Sequence, residues 1–172
     1  MHVVVGYTNL RPEVQEALDR HAAAVEVVYQ DCAHSNETYH DLLDEHWQAG
    51  TDFAVVEHDI VIDERVVPTF ERCPEPWCGF GYELAVGYRV ALGCTRFRAA
   101  LMDAVPDLFE LTQTETQSGV PRKAWYRLDA RVDQILREHG YTPHLHMPPV
   151  KHLNAVQRLA EPVPVYAAGE DR

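Results

Sequence analysis

Glu57-His58-Asp59 sets two carboxylates two residues apart, directly after the apolar run Phe53-Ala-Val-Val56. On an extended backbone that spacing points both acids to one side. Converging acidic oxygens suit a hard divalent cation such as Mg²⁺ or Mn²⁺, completed by water and by the phosphates of a ligand. The plainer alternative is a pair of strand-end acids that simply meet solvent. A second group is Asp129, on a helix expected over Lys123 to His139. Trp125, Leu128, Val132, Ile135 and Leu136 form its apolar stripe, and Asp129 lies four after Trp125 and three before Val132. That spacing turns Asp129 inward, where a carboxylate is either held by a structural partner or lines a cleft as a general base. The third group is His144, His146 and His152, neutral imidazoles able to bind Mn²⁺ or Zn²⁺. Ten histidines in 172 residues make any single one more often structural than ligating. His152 is the foremost ligand candidate, followed by His146 and then His144.

The elements that must position these groups follow from periodicity. Val3-Val-Val5 is a short β-branched run of the kind buried in a parallel sheet. Pro12 opens a helix with Val14, Ala17, Leu18 and Ala22 on one face. Val25–Tyr29 is a second strand. Ser35 or Asn36 caps a second helix with the stripe Tyr39, Leu42, Leu43, His46 and Trp47, and Gly50 stops it. With Asp52–Val56 the order is β-α-β-α-β, which predicts a mostly parallel central sheet flanked by helices. In such a sheet, ligands bind beyond the carboxyl ends of the strands. Thr8-Asn9, Asp31 and Glu57-His58-Asp59 all fall there.

Further on, a brief helix is expected over Val66–Glu71, two strands joined by a turn over Trp77–Leu92, and a helix led in by Gly93-Cys94-Thr95. The polar stretch Thr112–Arg122, with Gly119 and Pro121, reads as a loop. One domain is expected over residues 1–160, with a frayed tail at 161–172.

Composition narrows the partners. With 27 acidic against 15 basic residues the formal charge is −12, which argues against a nucleic-acid-tracking surface. No run approaches the length of a membrane span, and Met1-His-Val-Val-Val-Gly6 has no basic leader region, so a cytoplasmic protein is expected. Cys32, Cys73, Cys78 and Cys94 show no CxxC pairing and are expected to be reduced thiols. Cys73 and Cys78 are near neighbours, but a zinc site needs further ligands that spacing alone does not supply.

Together, Phe53-Ala-Val-Val-Glu-His-Asp59, Trp125-Tyr-Arg-Leu-Asp129 and Val150-Lys-His152 resemble the glycosyltransferases of the GT-A fold, over about His2 to Leu153. The chain looks most like small, phage-type members, with Glu57 in place of the usual first aspartate of the "DxD" motif. The resemblance implies a Rossmann-like nucleotide-sugar-binding fold and a divalent metal, Mn²⁺ or Mg²⁺, held by Asp59 with His152 or His146. It further implies a donor nucleoside-diphosphate sugar contacted by Thr8, Asn9, Asp31, Glu57 and His58. Asp129 would be the base toward an acceptor hydroxyl on a protein, glycan or small molecule. Two other readings use the same residues: a metal-dependent phosphoesterase or nucleotide hydrolase, and a nucleotide-sugar-binding module without turnover.

Overall fold

The computed structural model describes residues 1–35, 37–84, 87–89, 92–115, 121–123 and 128–153. Its first third follows the β-α-β-α-β order: β1 (His2–Tyr7), α1 (Pro12–His21), β2 (Val27–Asp31), α2 (Thr38–Gln48) and β3 (Phe53–Val56). There follow β4 (Ile60–Val61), α3 (Val66–Arg72), β5 (Trp77–Phe80), the antiparallel pair β6 (Tyr82–Leu84) and β7 (Gly87–Arg89), and β8 (Cys94–Phe97). Next come α4 (Ala99–Ala104), α5 (Leu108–Leu111), the short pair β9 (Thr114–Glu115) and β10 (Pro121–Arg122), α6 (Leu128–Glu138), β11 (His144–His146) and β12 (Lys151–His152). The central sheet has six strands in the order β11-β5-β8-β3-β1-β2. β1 runs parallel to both β2 and β3, β11 runs parallel to β5, and β8 is antiparallel to its two neighbours.

Strand alternation divides the core into two layers. Val3, Val5, Ala54, Val56, Cys78 and Phe80 face α1 and α3, where Val14, Leu18, Val66 and Phe70 meet them. Val4, Phe53, Val55, Trp77 and Phe97 face the other way, onto Leu43, Trp47, Leu101, Phe109, Val132 and Leu136. Both faces are covered, which is why the first strands read as unbroken apolar runs rather than alternating ones. Gly50 and Gly140 end α2 and α6 in the left-handed region, at φ 63° and 86°, where side chains are disfavoured.

Two local expectations change. Cys94-Thr95 does not lead into a helix: residues 94–97 are a sheet strand, and the helix begins only at Ala99. The reason is Arg96, which looks like a surface residue in sequence but is fully buried, its Nη2 donating to the carbonyls of Cys73 and Glu75 at 3.0 and 2.8 Å. Trp77–Leu92 does not form one hairpin; β5 enters the sheet and a shorter hairpin, β6–β7, follows. Ser35 accepts from the Glu37 N–H at 3.1 Å just ahead of α2, while Asn36, residues 116–120, Trp125 and the tail lie outside the described residues.

At the amino end of β1, His2 Nε2 and His46 Nδ1 lie 3.0 Å apart, with both rings against Phe53. Burial lowers the pKa of each below 6.5, and for His2 the charge of His46 adds to this. Groups with lowered folded pKa contribute stability that is present above the unfolded value and lost as pH falls through the folded one. The melting temperature should therefore drop on acidification below about pH 6.5. His46→Gln should flatten that limb of the profile; a limb parallel to wild type would remove the pair as its source.

Candidate functional site

Three parallel strands deliver the predicted residues to one edge. Thr8 and Asn9 form an exposed bend after β1, and Asp31, opposite Tyr7 in the ladder, ends β2. Asp31 is exposed and its Oδ1 accepts from the Ala33 N–H at 2.8 Å. β3 stops at Val56, and residues 57–60 turn back, with the Ile60 N–H donating to the Glu57 carbonyl at 3.0 Å. The acids thus sit on a tight turn, not on the extended backbone expected from their spacing. His58 is half-buried between them.

The turn presents Asp59 to the far end of the chain. β12 pairs antiparallel with β4, setting His152 opposite Ile60, and the Leu153 N–H donates to the Asp59 carbonyl at 2.8 Å. This ladder brings His152 Nε2 to 3.1 Å from Asp59 Oδ2, with both side chains almost wholly buried. Two further contacts hold the returning segment: Arg65 donates to the carbonyls of Pro148 and Pro149, and the Val150 N–H donates to Gly81. The Tyr82 ring lies 5.2 Å from that of His152.

Glu57 stands beside this pair, half-buried, its Oε1 accepting from the Tyr39 hydroxyl at 3.3 Å. Burial, then the charges of Asp59 and Asp129, push its carboxyl up to about 7, against the Tyr39 hydrogen bond and His152, which lower it. The same surroundings raise the Tyr39 and Tyr82 phenols, burial first and Glu57 second.

Two glycines make room for those tyrosines. A Cβ on Gly6 would lie 2.5 Å from Tyr39 Cδ2, and one on Gly93 would lie 2.6 Å from the Tyr82 hydroxyl. Gly6→Ala must therefore displace Tyr39 from Glu57, and overpacking of this kind costs about 1–3 kcal/mol. Urea unfolding should show a lower midpoint at unchanged slope; an unshifted midpoint would mean that Tyr39 yields freely.

Asp129 differs from expectation. It is exposed in the first turn of α6, whose buried stripe is Leu128, Val132, Ile135 and Leu136. One residue past Leu128 is about 100° around the helix, enough to leave the stripe. Its Oδ1 accepts from the Ala130 N–H at 2.7 Å, yet its charge still acts on Glu57 and Tyr82. Asp129 thus lies near enough to the acidic turn for its charge to act there. His146 joins a different group: on β11 it packs against Phe80 and Phe70, beside the thiols of Cys73 and Cys78.

Among the described residues, the group of three ligand side chains close enough to hold an ion is Cys73, Cys78 and His146; the acidic turn offers two adjacent donor atoms, Asp59 Oδ2 and His152 Nε2, that already share a hydrogen bond. Neighbouring ligands of octahedral Mg²⁺ are roughly 3.0 Å apart, given metal–oxygen distances of 2.0–2.1 Å, close to the Asp59–His152 separation of 3.1 Å. His152 Nδ1 is buried without a hydrogen-bond partner among the described residues. Two further carboxylates lie near the pair: Glu57 feels the charges of both Asp59 and Asp129.

The fold is an α/β, glycosyltransferase-like Rossmann fold, with a mostly parallel six-stranded sheet flanked by helices. No family model and no curated protein sequence matches the chain. Among solved structures it is similar to a glycosyltransferase involved in the glycosylation of the major capsid of PBCV-1, with TM-score 0.55, 11% identity, and coverage of 86% of this chain and 81% of that one. It is also similar to A197 from STIV, with TM-score 0.52, 15% identity, and coverage of 88% and 84%. At these identities the likeness is one of fold.

Proposed function

We propose that this protein is a metal-dependent glycosyltransferase that moves a sugar from a nucleoside-diphosphate sugar to a hydroxyl acceptor. The observation that carries the proposal is the buried Asp59–His152 pair beside Glu57, at the carboxyl edge of parallel strands where such folds bind nucleotides. Asp59 and His152 would hold Mn²⁺ or Mg²⁺, which when bound offsets the charge of the donor diphosphate. Thr8, Asn9, Asp31, Glu57 and His58 would contact the nucleotide sugar. Tyr39 fixes the Glu57 carboxyl, and Tyr82 walls the His152 ring from solvent. Asp129, exposed in the first turn of α6, would accept the proton of the acceptor hydroxyl as the acceptor oxygen bonds to the anomeric carbon and the nucleoside diphosphate departs.

The test is a thermal-shift screen of nucleoside diphosphates and their sugar conjugates, with Mn²⁺ and with EDTA. A ligand at 100 times its Kd adds about 2.7 kcal/mol to the folded state. Stabilisation by at least one nucleoside diphosphate in Mn²⁺ but not in EDTA is expected; equal shifts under both conditions would refute the metal requirement.

A further inference from the structure

Cys73, Cys78 and His146 converge from three elements on the α3 side of the sheet. Cys73 caps α3 at its carboxyl end, Cys78 lies on β5, and His146 lies on the edge strand β11. In the β5–β11 ladder His144 stands opposite Cys78 and His146 opposite Phe80, so parallel pairing puts both histidines on the face that carries Cys78. One ligand atom from each of Cys73, Cys78 and His146 lies within 4.8 Å of the other two. Both cysteines are buried and neither is in a disulfide. His146 Nε2 is buried and has no hydrogen-bond partner among the described residues.

We infer that Cys73, Cys78 and His146 form a second metal site, specific for a thiophilic ion of the zinc class and separate from the Asp59–His152 pair. Two sulfurs and one imidazole nitrogen are the donors zinc prefers, whereas Mg²⁺ and Mn²⁺ favour oxygen. The His144 ring lies 4.7 Å from that of His146. Arg96 Nη2–H donates to Cys78 Sγ at 3.2 Å, an outer-shell hydrogen bond of the kind that orients metal ligands. Arg96 and Arg98 both donate to the Cys73 carbonyl, which fixes the backbone that carries the first sulfur. A site here would tie the edge strand β11 to α3 and β5.

The test is a titration of the full chain, reduced and stripped of metal, with Co²⁺ as the spectroscopic probe. One equivalent should produce a sulfur-to-cobalt charge-transfer band and the visible bands of tetrahedral cobalt, and Zn²⁺ should bleach both. Asp59→Asn should leave the titration unchanged, which separates this site from the one proposed above. Cys73→Ser should remove the charge-transfer intensity of one sulfur. His146→Ala should weaken Zn²⁺ binding by more than the roughly 10–100-fold that loss of an outer-shell partner costs. The wild-type titration decides the matter even if a variant misfolds. A folded wild type with no charge-transfer band, or a band that survives the double substitution Cys73→Ser, Cys78→Ser, would overturn the inference.

Discussion

Asp59→Asn is expected to reduce Mn²⁺-dependent nucleoside-diphosphate binding by two orders of magnitude or more. Asn keeps the shape and one oxygen but removes the negative charge that faces the cation, and breaking a buried charged hydrogen-bonded pair costs roughly 2–5 kcal/mol. The substitution also leaves His152 with an altered partner, since its Nε2 lies 3.1 Å from Asp59 Oδ2. Calorimetric titration of a nucleoside diphosphate, with and without Mn²⁺, gives the effect directly. If the variant and the wild type bind equally well in Mn²⁺, Asp59 is not a metal ligand. His152→Ala should cost less, because water can take the place of one neutral ligand.

Asp129→Asn should lower turnover by roughly 10²–10⁴-fold, the usual contribution of a general base. Sugar-nucleotide affinity and melting temperature should stay near wild type. The exposed position of Asp129 sharpens this expectation: a buried structural carboxylate would reveal its loss in stability, by about 1–3 kcal/mol for partners left unsatisfied. A solvent-facing one in the first turn of a helix has less to lose there; among the described residues its hydrogen bond is with the Ala130 N–H. Product formation and melting curves on one preparation separate the two roles. A variant with full turnover would disprove the assignment of Asp129 as base.

The first half of the fold is legible in the sequence because its signals agree with one another. Val3-Val-Val5 and Phe53–Val56 are apolar on both faces, Pro12 and Gly50 mark helix limits, and the stripes of α1 and α2 keep helical spacing. The second half is less legible because tertiary contacts override local pattern. Arg96 is polar in sequence but fully buried in a strand, held by carbonyls 21 and 23 residues earlier in the chain and by the Cys78 sulfur. The acidic turn could be located from sequence, but not its partners. Tyr39 reads as one more member of the α2 stripe, and nothing local reveals that its hydroxyl reaches Glu57. One signal was present: Gly6 follows three valines in a strand, and an isolated strand glycine often marks a close approach. Here the approach is the Tyr39 ring. Asp129 was misplaced because Trp125 anchored the expected stripe, whereas the buried face of α6 is set by Leu128 and the residues that follow it.

The short strand that carries His152 has a kinetic consequence. β12 is only two residues long, and among the described residues it is held by its pairing with β4, the Leu153–Asp59 and Val150–Gly81 backbone bonds, the His152–Asp59 contact and the carbonyl bonds from Arg65. Segments this short open by local fluctuation long before the whole molecule unfolds. Each opening withdraws one of the two buried side chains of the acidic site. Amide exchange at Lys151, His152 and Leu153 should therefore slow when Mn²⁺ and a nucleoside diphosphate are added, while the amides of β1 keep their rates. Ligand release and the detachment of this strand would then be one event seen from two sides.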